Sequence, residues 1–407
     1  MVFSWNTINQ SLGLSCSRPG RRYPWKHHGG LHALKYFDLS FVGNPKNYCY
    51  LSMLKRNTLQ ILFIVCRPLG SIYAVIMRLR SFLFTSNLLK RHTIKVPVVS
   101  VGNLTMGGSG KTPVVIYLAR LFLKKGYTPA VVSRGYGGRA TNAVNVVSDG
   151  ATLYLDSIAA GDEPRLIAES VPGSIVVTGT RRVLPCRFAA EQLHCDVIIL
   201  DDGFQHMHVK RDLDLVLFNS ATLGRDMHVF PGGVLREPFS ALARAHCLLF
   251  TGCSRDTAVT ASSFGSFLNS RWPGISVFSS QYLPLRCRDS QGSLLSFADM
   301  PSPVFLFCGI ATPQRFYTTV EQLPIIIAGH ASFSDHHQYT AADLQKIDTL
   351  AQKKGACCLL TTEKDLVKLD TIYTTLPIFS LEMSVILSPA FDTFILESLT
   401  LPDKGSF

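Results

Sequence analysis

Val96–Pro113, VPVVSVGNLTMGGSGKTP, decides how this chain is read. Val96–Val101 predicts a short strand, and Val114–Leu123 is an apolar run of helical length. Between them lies a glycine-rich turn ending in Lys111-Thr112. Strand, glycine turn, Lys-Thr, helix is the layout of a phosphate-binding loop. Gly107, Gly108 and Gly110 have no Cβ, so backbone N–H groups can close on phosphate oxygens. The following helix adds unpaired N–H groups and a positive dipole end. Thr105, Met106, Gly107, Gly108, Ser109, Gly110, Lys111 and Thr112 are therefore the candidate nucleotide contacts. Lys111 would reach the β/γ-phosphates, and Thr112 would offer its hydroxyl to Mg²⁺. The strict pattern asks for glycine at position 105, where Thr105 stands. A glycine turn with a chance Lys-Thr is the plainer reading; the flanking strand and helix favour the loop.

Outward from this stretch, residues 96 to about 250 alternate strand-like runs, such as Pro129–Ser133, Val197–Leu200 and Leu213–Phe218, with helical ones, such as Arg182–Gln192. That alternation predicts a mostly parallel, doubly wound α/β sheet. Residues 251–300 read as irregular, punctuated by Gly, Ser and Pro. A second set from Val304 to Leu381 predicts a smaller α/β lobe. The expected division is a basic extension at 1–52, a membrane-associated helix at 53–94, a phosphate-loop core at 95–285 and a second α/β lobe at 286–400.

The net charge of +12 is unevenly placed. Residues 1–100 hold fourteen Lys/Arg and one acid, Asp38, whereas the rest holds 26 Lys/Arg and 27 acids. A neutral body argues against a nucleic-acid-binding surface, and a basic front favours an anionic lipid surface. Residues 59–85 are strongly apolar, but Arg67, Arg78 and Arg80 interrupt any run of about 18 residues, the minimum for a spanning helix. On a helix, Arg67, Ser71, Arg78, Ser81 and Thr85 share one stripe, and Leu69, Ile72, Tyr73, Ile76, Leu79 and Leu83 share another. This is the pattern of a helix lying in a membrane interface; the plainer alternative is a helix packed on the body. Eleven cysteines without a CxxC pair show reduced usage and no zinc-site spacing. No secretory signal is present, because no apolar stretch follows the first basic cluster.

The chemistry sits in short motifs. Val197–Asp202 is an apolar strand ending in two carboxylates, the usual Mg²⁺ side of a phosphate-loop site. Two adjacent acids there need a cation or donors. Gly161-Asp162-Glu163-Pro164 reads as a turn entering a helix, with Asp162 as a plain N-cap. Arg236-Glu237 reads as a surface ion pair. In Phe333-Ser334-Asp335-His336-His337 the adjacent histidines do not suit zinc, and a single proton-handling His fits better. There is no Asn-Lys-x-Asp guanine signature, which leaves ATP as the default nucleotide.

Taken in order, the glycine loop, Ser133-Arg134-Gly135-Tyr136-Gly137, Gly161–Pro164, Asp201–His206, Leu235–Pro238, Phe333–His337 and Thr362-Glu363-Lys364-Asp365 resemble the tetraacyldisaccharide 4'-kinases of lipid A biosynthesis. The resemblance spans about residues 53–385 and includes the missing first glycine of the loop. It implies a P-loop NTPase-like core with a smaller α/β lobe, an active site in the cleft between them, and an N-terminal amphipathic membrane helix. It implies transfer of the ATP γ-phosphoryl, with Mg²⁺, to the 4'-hydroxyl of a lipid A disaccharide 1-phosphate. It implies a peripheral protein on the cytoplasmic face of the bacterial inner membrane. Carried over, Thr112, Asp201, Asp202 and Glu237 would serve the metal, and Arg236 the phosphates or the acceptor. Asp162 would be the base and His336 its partner, which reverses the capping role read from Asp162 alone. An ordinary aspartate is a weak base, but a loose phosphoryl-transfer transition state asks for the proton late. Two other classes share the nucleotide motifs: a kinase or ATPase for another small acceptor, and a nucleotide-gated membrane-surface binding module.

Overall fold

The computed structural model describes residues 45–224, 227–289, 291–335, 337–369 and 374–403, with side chains from residue 62 onward. Residues 1–44 of the expected extension and the candidate His336 lie outside the described residues. Tyr50–Phe407 form one compact unit.

Among the described residues two sheets carry the α/β fold. The first has β1 (Val98–Asn103), β2 (Pro129–Ser133), β3 (Asn145–Asp149), β4 (Ile175–Thr178), β5 (Val197–Asp201), β6 (Leu213–Asn219), β7 (Cys247–Thr251) and β8 (Ser276–Ser279). Their order is β3-β4-β2-β5-β1-β6-β7-β8. Neighbours are parallel except β3 with β4. Its helices are α1 (Pro45–Thr85), α2 (Lys111–Lys124), α3 (Ser157–Ala160), α4 (Asp162–Ser170), α5 (Val183–Glu191) and α6 (Arg255–Arg271).

Alternation along the strands builds the layers. Val99 and Val101 of β1 face α2, with Phe122 and Ile167 in the same core. Val98 turns the other way, toward Cys186 and Ala189 of α5. Further along that second face, Val216 and Phe250 pack on Ala261 and Leu268 of α6. Helix α6 occupies the stretch read as irregular. Its buried set is only Ala261, Gly265 and Leu268. So thin a stripe amid serines and threonines does not register as an amphipathic period.

The second sheet has β9 (Gln281–Asp289), β10 (Leu294–Leu295), β11 (Val304–Cys308), β12 (Ile327–Ser332), β13 (Cys358–Thr362) and β14 (Ile378–Ile386). Its order is β10-β9-β14-β13-β11-β12, with β9 antiparallel to both its neighbours. Helices α7 (Pro313–Glu321) and α8 (Ala341–Lys353) cover opposite faces, and α9 (Glu363–Leu366) follows β13 directly. The chain enters this lobe along β9 and leaves along β14, paired as far as Gln281 with Ile386. Position 285/286 therefore falls inside a strand. The last helix, α10 (Pro389–Glu397), buries Phe391 and Ile395 in the first lobe's core rather than in the second's.

Helix α1 presents three faces. Gly70, Met77 and Phe84, seven residues apart, are buried on the body. Burying the two large side chains contributes roughly 1.5–3 kcal/mol each. Arg67, Ser71, Arg78 and Thr85 form an exposed polar stripe. Leu62, Val65, Leu69, Ile72, Ile76 and Leu79 are each more than half exposed on the remaining face. Pro45–Ser52, expected in the extension, belong to this helix. Among the described residues no helix is long and apolar enough to cross a membrane.

Candidate active site

The glycine loop leaves β1 at its carboxyl end, where open α/β sheets bind ligands. Asn103 Nδ2 donates to Thr105 O at 2.6 Å and so turns the chain. A second segment, 228–236, fixes the loop from the side. Met106 N donates to Val234 O at 2.7 Å and Arg236 N to Leu104 O at 2.8 Å. Gly107 (φ 100°) and Gly110 (φ 75°) take left-handed conformations, and Gly110 leads into α2 at Lys111.

Two residues that the sequence did not single out set the loop's polarity. Asn219 Nδ2 donates to Gly108 O at 2.8 Å, and Thr251 Oγ1 donates to Ser109 O at 2.8 Å. In a planar trans peptide the next N–H points opposite to the carbonyl. The N–H groups of Ser109 and Gly110 are thus turned away from those donors. Asn219 and Thr251 end β6 and β7, so strand order is the signal that could have found them.

Asp201 and Asp202 follow from the register of β5, which pairs Asp201 with Val101 beside the loop. Asp202 has φ 51°, uncommon for a residue with a side chain. Its Oδ1 is 3.5 Å from Lys111 Nζ, and its two oxygens are 3.0 and 2.9 Å from a guanidinium nitrogen of Arg236. Burial opposes ionisation of Asp202, but Lys111 and Arg236 outweigh it and hold the carboxyl below its usual range. Asp201 is buried, and among the described residues no cation is in hydrogen-bond contact with it. Burial, reinforced by Glu163, pushes it up to about 7. Its Oδ1 has no hydrogen-bond partner among the described residues.

That orphaned, destabilised carboxylate is what a divalent cation would satisfy. Among the described residues no three His, Cys, Asp or Glu side chains form a cage. Mg²⁺ suits such a site, because it takes one or two carboxylates and completes its octahedron with water and phosphate. Thr112, Asp201 and Asp202 fit this. Glu237 departs from the expected surface pair: it is buried, and its Oε2 accepts from Arg244 at 2.8 Å. Its Oε1 has no hydrogen-bond partner among the described residues.

Asp162 opens α4, and its N-cap is Gly161 (φ 93°), so it does not cap the helix itself. It faces the second lobe, where Lys368 Nζ lies 3.5 Å from its Oδ2. Lys368 is fully buried and also pairs with Asp365 at 3.1 Å. Asp365 in turn accepts from Gly309 N at 2.9 Å and from the hydroxyl of Thr362 at 2.7 Å. One residue along each helix, Lys364 lies 3.8 Å from Glu163 and 4.0 Å from Asp335. The Thr362–Asp365 motif thus reaches the α4 motif from the other lobe. His337, next to the candidate His336, pairs with Asp343 at 3.0 Å instead of entering this group.

A cavity of about 670 Å³ opens between the lobes beside the loop, reached by Gly108, Gly110 and Thr112 from one side and Tyr282, Lys364 and Met383 from the other. The Tyr282 ring lies against Gly110, where any Cβ would meet its hydroxyl. A second hollow of about 630 Å³, beside Asp212, His246 and Arg271, lies at the opposite edge of the sheet and touches none of these motifs.

The model of the tetraacyldisaccharide-1-P 4'-kinase family matches residues 62–400. A tetraacyldisaccharide 4'-kinase of Desulfotalea psychrophila is 43% identical over 83% of this chain and 97% of that protein. One of Geobacter metallireducens is 37% identical over 84% of this chain and 99% of its own length. A crystal structure of LpxK from Aquifex aeolicus in complex with ATP superposes with a TM-score of 0.68, at 29% identity, over 83% of this chain and 99% of that one.

Proposed function

The chain belongs to the tetraacyldisaccharide-1-P 4'-kinase family, and from that premise we propose how its residues carry the reaction. It is a kinase that phosphorylates the 4'-hydroxyl of tetraacyldisaccharide 1-phosphate in lipid A biosynthesis, with ATP as donor and Mg²⁺ as cofactor.

One observation carries the assignment of roles. Asp202 is shared by Lys111 and Arg236, so the lysine of the glycine loop and the arginine of a distant motif converge on one carboxylate. Residues 105–112 bind the phosphates of ATP as a P-loop, and the interlobe cavity receives the nucleoside. Thr112, Asp201, Asp202 and Glu237 would hold Mg²⁺, which when bound would neutralise charge on the phosphates. Lys111 exchanges Asp202 for phosphate oxygens when the nucleotide enters. Arg236, fixed by its own backbone bond to Leu104, stays beside the transferring group.

Asp162 takes the proton of the acceptor hydroxyl, and His336 is its partner. Lys368 supports this reading, because it holds the Asp162 carboxylate in place from the second lobe and leaves it one-tenth exposed. Helix α1 rests its exposed apolar face on the anionic cytoplasmic surface of the inner membrane. A four-chain acceptor stays in the bilayer, so the enzyme must come to it. Transfer of label from ATP to the purified disaccharide 1-phosphate tests the reaction.

A further inference from the structure

We propose that α1 is part of the phosphoryl-transfer machinery, with Gly70, Arg80 and Ser81 as positioning residues for the glycine loop and for Arg236-Glu237. The inference rests on the site reading above but concerns a different property, the mechanical dependence of that site on the helix.

Three separate routes run from α1 to the site. The first is a backbone-to-backbone contact. A Cβ at Gly70 would stand 2.5 Å from Val229 O, and one at Gly232 would stand 2.9 Å from Arg67 Cα. Helix and loop therefore touch at a pair of glycines where no side chain fits between them. The same loop then hands its position onward, since Val234 O accepts from Met106 N and Arg236 N donates to Leu104 O. The second route is polar. A guanidinium nitrogen of Arg80 donates to Gln205 O at 3.0 Å, and Gln205 Nε2 donates to Asn103 O at 2.9 Å. Asn103 holds Thr105, at the start of the loop. The third passes through Arg244, which donates to Ser81 Oγ at 2.9 Å and to Glu237 Oε2 at 2.8 Å.

A helix needed only for membrane attachment requires its apolar stripe and a tether. It does not require contacts with Val229, Gly232, Gln205 and Arg244, which in turn hold the glycine loop and Arg236-Glu237. Gly70 and Ser81 lie off the Leu69–Ile72–Ile76–Leu79 stripe, while Arg80 falls at its margin, so attachment and positioning can be separated at Gly70 and Ser81.

The test is Gly70→Val in the full chain. Turnover is measured with saturating ATP and with acceptor in detergent micelles, where delivery to a membrane is not limiting. Association with phosphatidylethanolamine/phosphatidylglycerol vesicles and amide exchange at 104–110 and 229–236 are measured alongside. Expected are a kcat lowered by about 10- to 100-fold, vesicle association close to wild type, and faster exchange in both segments. Ser81→Ala adds no volume and guards against misfolding; its kcat should fall about two- to tenfold. Wild-type kcat in both variants, unchanged exchange, or vesicle association lost in step with kcat overturns the proposal. If the wild type transfers no phosphate to this acceptor, the kinase reading fails, and the exchange arm still decides the positioning.

Discussion

A single guanidinium nitrogen of Arg236 stands 3.0 and 2.9 Å from the two carboxylate oxygens of Asp202, across a separation of 34 residues. Lys111 approaches the same carboxylate at 3.5 Å. Two cations sharing one acid act as a unit. Asp202→Asn and Arg236→Ala should each lower kcat about 100-fold, and the double variant should lose much less than the product of the two. Steady-state rates of the three proteins measure this; multiplicative losses would show that the residues work apart.

The lysine that faces Asp162 depends on Asp365. Lys368 is fully buried, and Asp365 stands 3.1 Å from it, itself without exposure. Asp365→Ala leaves a buried ammonium with Asp162, 3.5 Å away, as the carboxylate that still faces it. The variant should lose about 3–5 kcal/mol of stability in urea unfolding. An unchanged midpoint would mean that the pair is not held as described.

The outer face of α1 predicts lipid binding. Ile72, Ile76 and Leu79 are more than half exposed. Changing all three to Ser removes roughly 1.5–3 kcal/mol of apolar transfer per side chain. Sedimentation with anionic vesicles should fall sharply, and still more so in high salt. Sedimentation equal to wild type would refute the interfacial role.

Glu363 makes stability fall with pH. Burial pushes its carboxyl up to about 7, although Met383 N donates to it. A raised folded-state pKa stabilises the native protein below the unfolded value of 4.5, and the contribution disappears as pH rises through 7. Glu363→Gln keeps an acceptor for Met383 and cannot ionise. Its melting temperature relative to wild type should therefore rise between pH 5 and pH 8. A pH-independent difference contradicts the shift.

Much of this arrangement is legible in the sequence, and the reasons are physical. The Val96–Pro113 stretch carries its own punctuation, with a buried strand, glycines at φ 100° and 75°, and a helix starting at Lys111. Asp201-Asp202 is legible because an apolar strand ending in two acids has few other uses. What sequence does not carry is partnership across the fold. Asn219, Thr251 and Lys368 have ordinary local surroundings, and only strand order and lobe docking bring them to the site. Arg236-Glu237 looks like a surface pair until each residue is seen with a different partner, Asp202 and Arg244. Packing of α1 on the body was one of the two readings its sequence allowed, but the close contact at Gly70 was hidden, because a glycine has no hydrophobic signature.

The central claim is that Asp162 serves transfer of the ATP γ-phosphoryl to the 4'-hydroxyl of a lipid A disaccharide 1-phosphate. The most direct measurement follows label from γ-labelled ATP into that purified acceptor, with wild type and Asp162→Ala compared at equal nucleotide saturation. The account predicts labelled 4'-phosphate from the wild type, and a kcat at least about 100-fold lower in the variant with nucleotide binding retained. Equal transfer by both proteins, or label passing only to water, would contradict it.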